Sequence, residues 1–412
     1  MALLDPPAAP PDKWRTLGFL ALATLLAKGL WFSASAVVPQ LTTAWGLSPA
    51  AQAWLTMAVQ LGFVVGAVLS AVFTINDRFD THWIFAGSAL LGAAANAALT
   101  ALPPGALGGA LALRFLTGIA QAGVYPPGLA LVATWCREDR GLGMGLLVGA
   151  LTVGTALPHL LNGLDGAGAG GMPPWRVVLW TTSGLAVASA ALVAGLVRPG
   201  PYALPDRPPF DVRDVGRLLR DRSVRLVNLG YLGHMWELYA MWTWVPLYLL
   251  ASYEAAGWSL QGARWAGFAA VASGAVGALV AGRLADRLGR LLVAGGCLAV
   301  SGLCAVSAGF LYEAPLLLTA LCLVWGTTVV ADSAQFSAAV SERSDPRYAG
   351  TAMTVQVALG FLLTLASIQL IPTLRDVLGE GHVFAILALG PVMGIASLMR
   401  LRREEQAAEH RA

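Results

Sequence analysis

The chain predicts an all-α membrane protein with twelve transmembrane helices in two pseudo-symmetric six-helix bundles. Three observations carry that expectation. Hydrophobic residues make up 57% of the 412 residues and charged residues only 12%, with a mean hydropathy of +0.67, a balance foreign to soluble domains of this length. Twelve apolar runs of about 20 residues, enough to cross a hydrocarbon core, follow one another along the sequence. The longest hydrophilic stretch, 198–225, separates the sixth run from the seventh, dividing the chain into 17–197 and 226–399 with short tails at 1–16 and 400–412.

Residues 1–16 are Pro-rich without an apolar core, so they read as a tail rather than a cleavable signal. The first run, Leu17 to Val38, follows directly and holds Lys28. Ala53 to Phe73 and Trp83 to Leu102 come next, joined by the turn Asp77-Arg78-Phe79-Asp80-Thr81-His82. Leu107 to Trp135 carries Arg114, and Gly141 to Leu161 carries Pro158 and His159. Five glycines from Gly163 to Gly171 mark a flexible loop before the sixth run, Val177 to Val197. The dividing stretch is rich in proline and then basic; its end, Val212 to Arg225, fits a short amphipathic helix on the membrane or a solvated linker equally well. Leu226 to Leu250 is the most polar run, with Asn228, Tyr231, His234, Trp236, Glu237, Tyr239, Trp242, Trp244 and Pro246. Trp265 to Ala285, Leu291 to Tyr312, Pro315 to Val340, Ala349 to Ile371 and Val383 to Met399 complete the set.

Basic residues orient this map. The termini and the loops on their side hold 21 of the 26 Lys and Arg residues, whereas the opposite loops hold only Arg176, Arg264 and Arg375. The positive-inside rule then makes both termini cytoplasmic in a multi-pass protein of the cell membrane. The net charge of +3 concerns orientation and implies no nucleic-acid partner. Cys136, Cys297, Cys304 and Cys322 lack metal-ligand spacing and read as packing residues without a disulfide.

Apart from Arg283, at the very end of the eighth run, only four fully charged side chains lie inside the apolar runs: Lys28, Arg114, Glu237 and Asp332, on the first, fourth, seventh and tenth. Intramembrane ionisable residues mark solute and ion pathways, so this placement points to a lined polar route through the membrane. Lys13 and Lys28 are the only lysines and neither lies in GxxxxGK[ST], which excludes a phosphate-cradling loop for ATP hydrolysis. Gly141-Leu142-Gly143-Met144-Gly145 is explained by close helix packing. HExxH, a His/Asp metal cluster and a Ser-Lys nucleophile are all absent, so no enzyme, metal or cofactor is expected. A secondary carrier remains, with a non-transporting substrate sensor as its alternative.

The strongest local motif is Gly282-Arg283-Leu284-Ala285-Asp286-Arg287-Leu288-Gly289-Arg290, between the eighth and ninth runs. A glycine there lets helices approach, the acid suits a helix amino terminus, and the arginines reach neighbouring carboxylates, so the cluster can lock one conformation. It resembles the signature loop of the major facilitator superfamily. An eroded copy stands at Asp77-Arg78; 209 positions separate Asp77 from Asp286 and also Lys28 from Glu237, as two equivalent halves require, although Arg114 and Asp332 do not share the offset. The resemblance covers essentially the whole chain. It implies that the first, fourth, seventh and tenth helices line a central cavity, and these are the charged four. The stretch Arg114 to Gly128 is similar to helix four of the organic anion/cation symporter group, although Gln121 stands where an acid is common.

Roles follow. Lys28, Arg114, Tyr231, Trp236 and Gln335 are candidate substrate-binding residues; His234, Glu237 and Asp332 are candidates for proton coupling. Asp77, Arg78, Gly282, Asp286, Arg287, Gly289 and Arg290 are candidate gating residues. His234 and Glu237, three apart, share a helix face and can exchange a proton. Alternatively, Glu237 pairs permanently with Lys28 or Arg114. Arg114 offers a planar two-point clamp for a carboxylate. Gln60, His159 and Gln356 are weaker candidates that suit satisfied packing groups. The expected protein is a monomeric, proton-coupled carrier of a small organic anion by alternating access; proton-driven efflux of drug-like or cationic compounds is the alternative.

Overall fold

The structure, a computed structural model, describes residues 12–73, 75–136, 140–164, 171–202, 220–344 and 349–409. Eleven helices among them are long and apolar enough to cross a membrane: α1 (Lys13–Ala36), α2 (Pro49–Val72), α3 (Thr81–Ala101), α4 (Leu107–Trp135), α5 (Gly141–Asn162) and α6 (Trp175–Leu196), then α8 (Leu260–Ala285), α9 (Arg290–Leu311), α10 (Pro315–Arg343), α11 (Ala352–Arg375) and α12 (Val383–Ala407). The twelfth, α7 (Arg222–Ala255), spans 34 residues, and its polar and aromatic side chains dilute an otherwise apolar segment. Twelve crossings bring both ends out on one side, here the terminal face; the other is the distal face.

Local chemistry sets the boundaries. Ser48 accepts the Ala51 N–H ahead of α2, Asp221 accepts the Val224 N–H ahead of α7, and Ser259 accepts the Gly262 N–H ahead of α8. Gly289 turns the chain between α8 and α9 at φ +89°, a conformation side chains resist. Breaks fall inside three crossings, one of them in α8 at Ser273, between Ala272 and Gly274. In α4, helix stops at Ala122 and resumes at Tyr125, where Pro126 and Pro127 remove backbone donors; in α10 it stops at Ala331 and resumes at Ser333. The tenth run is thus broken at Asp332.

Helices approach where glycines permit it. A Cβ on Gly118 of α4 would lie 2.1 Å from the Val59 carbonyl oxygen of α2, and one on Gly233 of α7 would lie 2.3 Å from the Gly390 carbonyl oxygen of α12. The first six helices meet the last six along α2–α11 and α5–α8. Gly145 faces Ala278 and Gly149 faces Ala275 across the second seam, while Thr364 donates to Gln60 Oε1 at 3.0 Å across the first. Between the seams, Trp31 and Phe32 of α1, Phe63 of α2, Tyr239 and Trp242 of α7 and Phe361 of α11 form one aromatic cluster, with Phe63 and Phe361 centroids 4.5 Å apart.

Two expected boundaries shift. The hydrophilic stretch 198–225 ends inside α7, which starts at Arg222, and the expected tail from 400 continues α12 as helix to Glu409. Asp221 caps the first, and the second is held by Arg222–Glu404 and Arg343–Glu405 ion pairs, both 2.6 Å. Most of Val212 to Arg225 and of Gly163 to Gly171 lies outside the described residues.

Candidate functional site

Lys28 lies about 22 Å along α1 by helical rise and is 2% exposed. Its Nζ sits 4.1 Å from the Trp31 ring centroid, one turn on, and 5.8 Å from that of Tyr125, the first residue after the α4 break. The rings supply a cation–π environment. Among the described residues no carboxylate pairs with this ammonium, so the permanent Lys28–Glu237 pair is not formed here.

His234 of α7 and Asp332 at the α10 break meet at 2.8 Å (Nδ1 to Oδ1), a contact that becomes an ion pair when the imidazole carries a proton on both nitrogens. The other ring nitrogen lies 2.8 Å from Ser333 Oγ. Among the described residues the second Asp332 oxygen has no hydrogen-bond partner. The Tyr231 ring stands 5.8 Å from the His234 ring and 6.1 Å from that of Phe336, centroid to centroid.

Glu237 is fully buried and takes a different direction. Its Oε1 accepts from Trp325 Nε1 at 2.6 Å and its Oε2 from Ser301 Oγ at 2.8 Å. The expected His234–Glu237 pair is absent. Residues three apart diverge by about 60° around a helix, and here that difference sends His234 to the α10 break and Glu237 to the seam with α9 and upper α10.

Arg114 also departs from expectation. Its Nε donates to Leu55 O at 3.1 Å, Nη1 to Leu30 O at 2.9 Å and Ser33 Oγ at 3.2 Å, and Nη2 to Trp31 O. Every guanidinium nitrogen is engaged by α1 and α2, leaving no two-point clamp for a ligand in this conformation. Ser33 also donates to Asn96, which donates to Leu179 O, Thr182 and Ser183 of α6. One polar network thus fastens α1, α2, α3, α4 and α6 one turn beyond Lys28. Trp236, expected at the ligand, instead donates to Ile386 O of α12 at 3.2 Å. Gln335 accepts from Arg290 Nη1 at 3.2 Å, and Arg290 Nε pairs with Glu342 at 2.8 Å, which puts Gln335 with the motif of the terminal face.

Among the gating candidates, Gly282 lies against the Gly141 carbonyl of α5, Gly289 forms the turn, and Arg78 and Arg287 are exposed. The side chains of Asp77 and Asp286 lie outside the described residues. His159 lines a shallow distal-face recess with Asn162, Pro246 and Arg264, Gln356 donates to Asn228, and Gln60 accepts from Thr364. Sequence reasoning did not single out Trp31, Tyr125, Ser301 or Trp325 for the site. Asn96 was legible as a lone amide in the third run.

The profile of the Major Facilitator Superfamily matches residues 20–367. The chain belongs to that superfamily. The niacin transporter NiaP of Acinetobacter baylyi is 33% identical over 135 residues, 30% of this chain and 29% of that protein. The MFS-type transporter pytF of Aspergillus terreus is 28% identical over 193 residues, 44% of this chain and 58% of that protein. The chain thus matches under two thirds of either relative. A crystal structure of a bacterial homolog of the human lysosomal transporter Spinster, inward-facing and unoccupied, superposes with a TM-score of 0.68 over 96% of this chain and 95% of that one, at 14% identity. That likeness is one of fold.

Proposed function

We propose that this superfamily member is a proton-coupled secondary transporter of a small organic anion, an aromatic monocarboxylate by preference. The buried Lys28 ammonium, faced by Trp31 and Tyr125 and by no carboxylate among the described residues, carries this reading. An uncompensated cation in a dry interior is costly, and a bound carboxylate offsets that cost while its ring packs on the two aromatic faces. One relative of part of the chain is named for niacin, itself an aromatic carboxylate. Protons exchange at the His234–Asp332 pair and at Glu237, groups that can change charge as α7 and α10 move. The Gly282–Arg290 motif, with Asp77 and Arg78, forms the gate on the terminal face. That face is cytoplasmic, the membrane is the cell membrane, and one chain suffices.

Binding of labelled nicotinate to the purified protein tests the reading. Lys28→Gln should weaken it at least tenfold, the worth of one charge-assisted hydrogen bond, and nicotinamide, the neutral analogue, should bind poorly to both proteins. Equal binding of acid and amide, unaltered in the variant, would contradict the anion reading. Preference for a cation would favour efflux.

A further inference from the structure

The ends of α7 and α12 on the terminal face carry charges that the transport site does not use. Arg222 Nη2 lies 2.6 Å and Arg400 Nε 3.5 Å from Glu404 Oε1, so two guanidiniums share one carboxylate, and both remain more than half exposed, at 57% and 67%. Arg225 and Arg403 are exposed beside them, and neither makes an ion pair among the described residues. Asp221 is occupied as the cap of α7, and Glu405 pairs with Arg343. Four arginines against Glu404 and Asp221 leave two positive charges on this patch.

Its apolar border is equally specific. Helical spacing puts Arg222, Arg225 and Leu229 on one face of α7, and Met393, Ala396, Arg400 and Arg403 on one face of α12. Leu229 is 41% and Met393 40% exposed. The two helices touch backbone to backbone at Gly233 and Gly390, so exposed apolar side chains, Leu229 and Met393, stand between that crossing and the arginines along the two helices. Exposed apolar surface of the polarity an acyl chain needs thus gives way to a cluster of arginines at the helix ends.

We propose that the terminal-face ends of α7 and α12 form a binding site for an anionic phospholipid, its phosphate held by Arg222, Arg225, Arg400 and Arg403 and one chain lying along Leu229 and Met393. Charge complementarity selects the headgroup, and arginine near a membrane surface attracts anionic lipid by a factor of about five per side chain. Glu404 opposes the lipid.

Titration of the full-length purified protein with phosphatidylglycerol, counted as lipid retained in native mass spectrometry, tests the assignment. Arg225→Gln with Arg403→Gln should lower affinity by about 25-fold, two steps of fivefold. Glu404→Gln should raise it. Arg15→Gln, one charge removed elsewhere on the same face, should change it less than twofold, and phosphatidylcholine should bind weakly throughout. Inorganic phosphate at tenfold excess should fail to displace the lipid, because it lacks the chain; displacement would assign the patch to a free anion and overturn the lipid site. Equal affinity in all variants, or equal loss in Arg15→Gln, would also overturn it. Arg15, Arg225 and Arg403 are exposed and Glu404 is half-buried at the helix end, so melting temperatures should agree within about 2 °C, the scale of a surface substitution.

Discussion

Replacing Arg114 by lysine keeps the charge and removes the fork, so it separates a ligand clamp from a helix fastener. The guanidinium spreads its bonds over Leu55 O on α2 and Leu30 O, Trp31 O and Ser33 Oγ on α1. One ammonium nitrogen cannot reach acceptors on both sides of that fork and can keep at most two of the four. Two lost charge-assisted bonds, at about 1.5 to 3 kcal/mol each, sum to roughly 3 to 6 kcal/mol before relaxation. Repacking and trapped water recover part of this, and about 3 kcal/mol of lost stability is the expected outcome. Arg114→Lys should therefore melt at least several degrees lower in detergent, followed by tryptophan fluorescence. Anion binding should fall only in proportion to the displacement of Lys28, and a tethering lipid or ligand that restores α1 should restore it. An unchanged melting temperature with binding abolished would refute the reasoning and return Arg114 to direct contact with the substrate.

Other substitutions probe the remaining claims. Gly118→Val places methyl groups where even a Cβ meets Val59 O at 2.1 Å, and it should cost at least the 1 to 3 kcal/mol of an overpacked core, seen as loss of monodisperse protein in gel filtration. Glu237→Gln should abolish accumulation driven by a pH gradient yet retain counterflow exchange, measured in the same vesicles; full accumulation would shift the proton role to His234–Asp332. Trp236→Phe removes only a bond to Ile386 O and should leave nicotinate affinity within twofold, whereas Trp31→Leu, which strips the cation–π face, should weaken it about fivefold by equilibrium binding.

The number and order of the crossings were legible because the bilayer demands long apolar runs whatever their partners, and the four intramembrane charges stood out against them. Partner choice was not legible. His234 and Glu237 satisfy the spacing for a pair, yet tertiary packing gives one to Asp332 and the other to Trp325 and Ser301. Arg114 was visible as a charge in an apolar helix, but its acceptors are backbone carbonyls, which every residue owns and no sequence marks. Nothing in the sequence marks Trp325 or Tyr125, since an indole N–H or a ring face becomes a site element only when folding brings a carboxylate or an ammonium to it. The breaks at Tyr125 and Asp332 had a partial signal, the Pro126-Pro127 pair, in α4 alone.

Uptake of labelled nicotinate into proteoliposomes under an imposed pH gradient, acid outside, tests the central claim most directly. Wild-type protein should accumulate nicotinate above its equilibrium level and above protein-free vesicles. A protonophore should collapse that accumulation, and Lys28→Gln should reduce it to the protein-free rate. Uptake by wild-type protein equal to that of empty vesicles, or accumulation that survives the protonophore and the loss of Lys28, would contradict proton-coupled anion transport through this site.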